Sequence, residues 1–69
     1  KNKFLNKNIE VFVNKKLEGN LYEARDENYN IVLVQSSENI LGKTIEVKIK
    51  QAGVHHMVGE MIWLLFSNV

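Results

Sequence analysis

Over residues 44–50 apolar and polar side chains alternate without a break: Ile45, Val47 and Ile49 on one side, Thr44, Glu46, Lys48 and Lys50 on the other. Successive side chains of an extended chain point to opposite faces, so a period of two demands a strand with one buried face. On a helix Val47 would lie on the far side from Ile45 and Ile49. The same period governs the start of the chain, where Ile9, Val11 and Val13 alternate with Asn8, Glu10, Phe12 and Asn14. A half-buried strand cannot stand alone, because its backbone edges must find partners.

Turn signals divide the rest of the chain into segments of strand length. Residues 15–20 end in Gly19-Asn20 and lead to a second strand over 21–25, which the polar Asp26-Glu27-Asn28 closes. A third strand over 31–35 opens on the continuous run Ile31-Val32-Leu33-Val34 and is expected to be the most buried. Residues 36–39 are a polar connection, and 38–41 have the length of one helical turn. Gly53 is the expected positive-φ position before a last strand over 55–63. Gly59 within it marks a bulge or a barrel corner. The apolar run 61–66 has no period of its own and reads as strand or helix.

Five short strands in 69 residues define a single all-β domain, a small five-stranded OB-like antiparallel barrel whose closure removes the edges. The expected core comprises Ile9, Val11, Val13, Leu21, Val32, Val34, Ile45, Val47, Ile49 and Ile62. Residues 1–8 read as a linker from an upstream domain, 9–63 as the barrel, and 64–69 as a C-terminal tail. The chain opens on Lys1 rather than Met, which reads as a piece of something longer. The run 61–66 is far shorter than the roughly 20 residues of a membrane-spanning helix, and no cleavable signal peptide is evident.

Catalytic constellations are missing from the sequence. With no cysteine there is no thiolate zinc site, iron–sulfur ligation or cysteine nucleophile in this chain. His55 and His56 are adjacent, and on a strand would face opposite sides, so they do not form a ready metal pair; one exposed and one partly packed histidine is the plainer reading. Asp26, Glu27, Glu10, Glu18, Glu23 and Glu46 form no evident acid–base pair. Ser36-Ser37 lacks a glycine elbow, and the four glycines stand singly, so no phosphate loop exists.

The remaining chemistry is basic and aromatic. Lys48 and Lys50 share the outward face of the fourth strand, Lys43 precedes it, Lys15 lies in the first turn, and Arg25 and Tyr29 flank the second. Such cations suit phosphates, while Tyr22, Tyr29 or Phe12 suit stacking on unpaired bases, and an imidazole of His55 or His56 suits either. A net charge of +1 does not by itself announce nucleic acid, so any positive patch must be local. Alternating lysine and glutamate is equally the ordinary dress of a solvated strand.

Order and punctuation together carry a resemblance. Ile9-Glu10-Val11-Phe12-Val13, Ala24-Arg25 followed by Asn28-Tyr29, Leu41-Gly42-Lys43-Thr44-Ile45-Glu46-Val47-Lys48-Ile49, and Val58-Gly59-Glu60 resemble successive segments of the TRAM domain. That domain is the small barrel at the C-terminal end of radical-SAM tRNA methylthiotransferases. Residues 53–60 are similar to the archaeal and eukaryotic-type branch, which acts on threonylcarbamoyladenosine. Ala24 departs from the glycine of many relatives, and the segment Trp63-Leu64-Leu65-Phe66 is more apolar than a typical TRAM end, as if packed on a neighbouring domain or on its own core.

The resemblance implies a cytoplasmic tRNA-binding module that presents an anticodon-loop adenosine to an upstream catalytic domain of the same polypeptide. Iron–sulfur clusters and S-adenosylmethionine would belong to that domain, and this chain would have neither cofactor nor small-molecule substrate of its own. It implies RNA contacts at Arg25, Tyr29, Lys43, Lys48, Lys50, His55, His56 and Lys15. Other readings stay open: a free-standing TRAM-type RNA-binding or RNA-chaperone protein, a docking domain without RNA affinity, and a metal-binding enzyme.

Overall fold

The computed structural model describes residues 2–63. A short 3-10 turn, Asn2–Phe4, precedes five strands: β1 (Asn8–Lys16), β2 (Leu21–Arg25), β3 (Ile31–Gln35), β4 (Thr44–Ala52) and β5 (Met57–Trp63). The order β1-β2-β3-β5-β4, with β4 hydrogen-bonded back to β1, closes an OB-like barrel. The expected antiparallel arrangement holds for four pairings; β3 and β5 run parallel. Parallel neighbours require a crossover, and here β4 with its flanking connections provides it.

Alternation places Val11, Val13, Val32, Val34, Ile45, Val47 and Ile49 inside, as the sequence pattern predicts. Three expected core residues are displaced. On β2 the phase is reversed: Tyr22 and Ala24 point inward, and Leu21 is only half-buried. The outward face of that strand carries Glu23 and Arg25, and Leu21 shares their side. Ile9 is half-buried at the barrel margin. Ile62 is 40% exposed because Glu46 faces Trp63 while Val47 faces Met61, leaving Ile62 as the extra residue of a bulge.

β3 is not the most enclosed strand: Ile31 and Leu33 are half-buried, whereas β4 contributes three fully enclosed side chains. Residues 38–41 are not helical; they carry Ile40, fully buried, into one mouth of the barrel. There the Tyr22 hydroxyl donates to the Glu38 carbonyl (3.3 Å), and the Glu38 N–H donates to Ser36 Oγ (3.0 Å).

At the other mouth Phe4 packs against the core. Its segment is tied to β4 by Asn6 N–H to the Ile49 carbonyl (2.8 Å) and Ile49 N–H to the Lys7 carbonyl (2.9 Å). β5 starts at Met57 rather than at His55. Gly53 does not take a positive φ; the left-handed glycines are Gly19 and Gly42. Gly53 instead closes the β4–β5 hairpin, where a Cβ would come within 3.1 Å of the His56 carbonyl oxygen. Gly59 is forced by packing: a Cβ there would stand 2.9 Å from Val47 Cγ2 and 3.1 Å from Val32 Cγ1. The ladder slips one residue beside it, with Ile49 opposite Gly59 and Gln51 opposite Val58. The apolar tail beyond Trp63 lies outside the described residues.

Candidate nucleic-acid interface

The barrel places Phe12 directly opposite Arg25 on the outer face of β1 and β2. Phe12 occupies the polar phase of its strand, so its ring is 49% exposed where a solvated residue would be expected. On its other side it faces Thr44, the first residue of β4. Tyr29 projects from the β2–β3 connection and is 78% exposed. Both rings line a single shallow groove with Asn14, Arg25, Asp26 and Glu27.

The turn that holds Tyr29 is built by Asp26. Its Oδ1 accepts from the backbone N–H groups of Asn28 and Asn30, each at 2.8 Å, and its Oδ2 accepts from Asn30 Nδ2 at 3.0 Å. An aspartate that receives neighbouring N–H groups in this way fixes a turn without strand partners. The Tyr29 N–H donates to the Asp26 carbonyl (2.9 Å), and Asp26 N–H donates to the Asn30 carbonyl (3.2 Å). Arg25 completes the arrangement: Nη1 donates to the Tyr29 carbonyl at 2.9 Å and Nη2 meets Glu23 Oε2 at 3.2 Å.

Tyr29 sits at φ +66, in the left-handed region. An L-residue with a Cβ loses roughly 1–2 kcal/mol there, a cost that glycine escapes and asparagine softens. The four left-handed positions among the described residues are Asn6, Gly19, Tyr29 and Gly42. Three follow the rule and Tyr29 breaks it, although asparagines stand on both sides of it. An aromatic ring that is strained and exposed adds little to the stability of the fold.

The other residues named for RNA contact do not gather on one face. Arg25 and Tyr29 are together. Lys15 lies opposite Glu23 on the same outer face, and the Lys43 carbonyl accepts the Val13 N–H (2.9 Å), which places Lys43 beside β1 just past Phe12. Lys48 lies further along β4, opposite Asn8 on one side and Glu60 on the other. Between it and the Phe12 row stand Glu10 and Glu46, directly opposite each other. Lys50 Nζ is 3.7 Å from Glu60 Oε1, an exposed ion pair of little energetic weight.

His55 and His56 are both exposed in the β4–β5 hairpin and line a second groove with Phe4, Asn30 and Ile31. That groove borders the other side of the Tyr29 turn. Tyr22 is excluded from stacking, being 2% exposed, with Lys16 Nζ 5.0 Å above its ring. Phe12 was legible from the sequence as an aromatic on a polar phase; Asn14 and Glu27, which rim the groove, carry no such signal.

No family model matches the chain. It is similar to the tRNA-2-methylthio-N(6)-dimethylallyladenosine synthases of Thermosipho melanesiensis and Thermosipho africanus, with 31% identity over 62 residues in each case. The matched stretch is 90% of this chain and 14% of each relative, so the chain spans a small fraction of their length.

Proposed function

We propose that this chain is a TRAM-like tRNA-binding module of a tRNA-modifying methylthiotransferase, working in the cytoplasm. In this reading the barrel holds the anticodon arm and presents a loop adenosine to a radical-SAM catalytic domain of the same polypeptide. The observation that carries the reading is the pair of exposed rings, Phe12 and Tyr29, on one face of an OB-like barrel. Small barrels bind single-stranded RNA by stacking bases on such rings. The tRNA nucleoside that the names of the Thermosipho relatives give as their product supports tRNA as the RNA. Their names carry a dimethylallyl group, so the proposal is framed for a methylthiolated adenosine in general rather than for the threonylcarbamoyl branch.

Lys15 and Lys43 flank the rings and take the neighbouring phosphates, while His55 and His56 extend the surface past the Tyr29 turn. Lys48 and Lys50 form a separate, partly neutralised edge that contributes weakly. The chain has no cysteine with which to ligate an iron–sulfur cluster, so those clusters and S-adenosylmethionine are assigned to the catalytic domain, and no chemical step runs through this barrel.

The test is a titration of the chain with an anticodon stem-loop RNA at low salt, where phosphate contacts are strongest. The reading expects saturable binding that weakens steeply as salt is raised and falls on Phe12→Ala. Absence of binding at low salt would instead make the barrel a docking domain.

A further inference from the structure

The groove between Phe12 and Tyr29 has the wrong lining for a phosphate. Among the described residues its one lining cation is Arg25, which has both terminal nitrogens engaged within the protein, on the Tyr29 carbonyl and on Glu23. Its rim carries two carboxylates, Asp26 and Glu27, which repel an anion. Those of Asp26 are occupied by the Asn28 and Asn30 donors. Glu27 is exposed, and Asn14 is the extra residue of the β1 bulge between Val13 and Lys15. The groove therefore offers two aromatic faces, a carboxylate that only accepts hydrogen bonds, and an amide that both donates and accepts.

We propose that this groove is a nucleobase site that prefers an unpaired base with an exocyclic amino group, and that Arg25 is a positioning residue for Tyr29 rather than a phosphate contact. The inference rests on the RNA-binding reading above and specifies its ligand. Adenine, cytosine and guanine each present an amino donor that Glu27 can receive. Uracil presents carbonyl oxygens in that place, which a carboxylate repels. Arg25 acts through the Tyr29 turn: its planar fork bridges a backbone carbonyl and a carboxylate at once. A lysine ammonium is a single point charge and does not reproduce that bridge.

The test compares binding of the 69-residue chain to single-stranded oligo(rA), oligo(rC) and oligo(rU) of equal length, followed by fluorescence anisotropy of the labelled RNA. The expected order places oligo(rA) and oligo(rC) several-fold tighter than oligo(rU), and Glu27→Gln narrows that gap. Phe12→Ala and Tyr29→Ala each weaken oligo(rA) binding about tenfold, the scale of one lost stacking contact. Arg25→Lys weakens it as Tyr29→Ala does, and Arg25→Lys adds no further loss in a Tyr29→Ala background. A merely electrostatic Arg25 would be rescued by lysine, and Arg25→Ala would then add its own loss in the Tyr29→Ala background. Thermal unfolding of each variant separates lost binding from lost fold.

Equal affinity for the three oligonucleotides, or full affinity in the Phe12 and Tyr29 variants, overturns this site while leaving RNA binding intact. Failure of the wild-type chain to bind any of them overturns the RNA-binding reading and the site with it.

Discussion

The β1–β2 and β2–β3 connections solve the same geometric problem with opposite chemistry. Each is closed by an N–H donating to the carbonyl four residues on, Leu17 to Leu21 at 2.8 Å and Asp26 to Asn30 at 3.2 Å. Each contains one residue in the left-handed region, Gly19 at φ +65 and Tyr29 at φ +66. At Gly19 the residue suits the backbone, and a Cβ would meet nothing within 4 Å. At Tyr29 the backbone conformation is imposed on a bulky residue by Asp26 and Arg25. The first turn matches residue to backbone; the second holds a ring in solvent against local preference, and strain of that kind gathers at functional positions.

The comparison breaks most visibly at Asp26. Asp26→Ala removes three hydrogen bonds from the second turn and is expected to lower stability by about 2 kcal/mol. In thermal unfolding that is a drop of roughly 10 °C for a domain of this size. A change within 1 °C would mean that the turn does not depend on its aspartate. A smaller effect comes from moving the anomaly. Gly19→Tyr puts a ring into the left-handed position of the first turn and is expected to cost about 1 kcal/mol, with RNA affinity unchanged when measured by anisotropy. A gain in affinity would show that any exposed tyrosine serves, not the Phe12 groove. The smallest effect lies at Lys16, whose ammonium donates to the Gly19 carbonyl at 2.6 Å in an exposed setting. Lys16→Met is expected to change stability by less than about 0.5 kcal/mol in denaturant titration, against the larger loss at Asp26.

Much of this architecture is written in the sequence, for reasons that also mark where legibility ends. β2 and β3 lie where turn residues bracket short apolar segments, and β4 follows from its unbroken alternation. The phase of β2 was misread with Leu21 as core, although Glu23 and Arg25 share its side and mark that side as outer. Ile40 was not readable: it reaches the core from a connection, where no period exists to announce it. The parallel pairing of β3 with β5 and the bulge that turns Ile62 outward arise from closing the barrel, a long-range event without local signature.

The candidate site shows the same division. Phe12 stands out in sequence as an apolar residue on a polar phase, and Arg25 and Tyr29 stand out by resemblance. Their grouping depends on the cross-strand register of β1 and β2 and on the Asp26 turn. The separation of Lys48 from that group by Glu10 and Glu46 likewise required the β1–β4 register. The residues that the resemblance implies for RNA contact are distributed by the barrel over several faces.

The most direct measurement is Tyr29→Gly, read for thermal stability and for affinity to single-stranded RNA in the same preparation. If Tyr29 is held in a strained conformation for the sake of its ring, glycine relieves the backbone and removes the contact together. Stability should then stay level or rise by up to about 1 kcal/mol, while RNA affinity falls about tenfold. A variant that binds RNA as tightly as the parent chain, or that unfolds at a markedly lower temperature, would contradict the account.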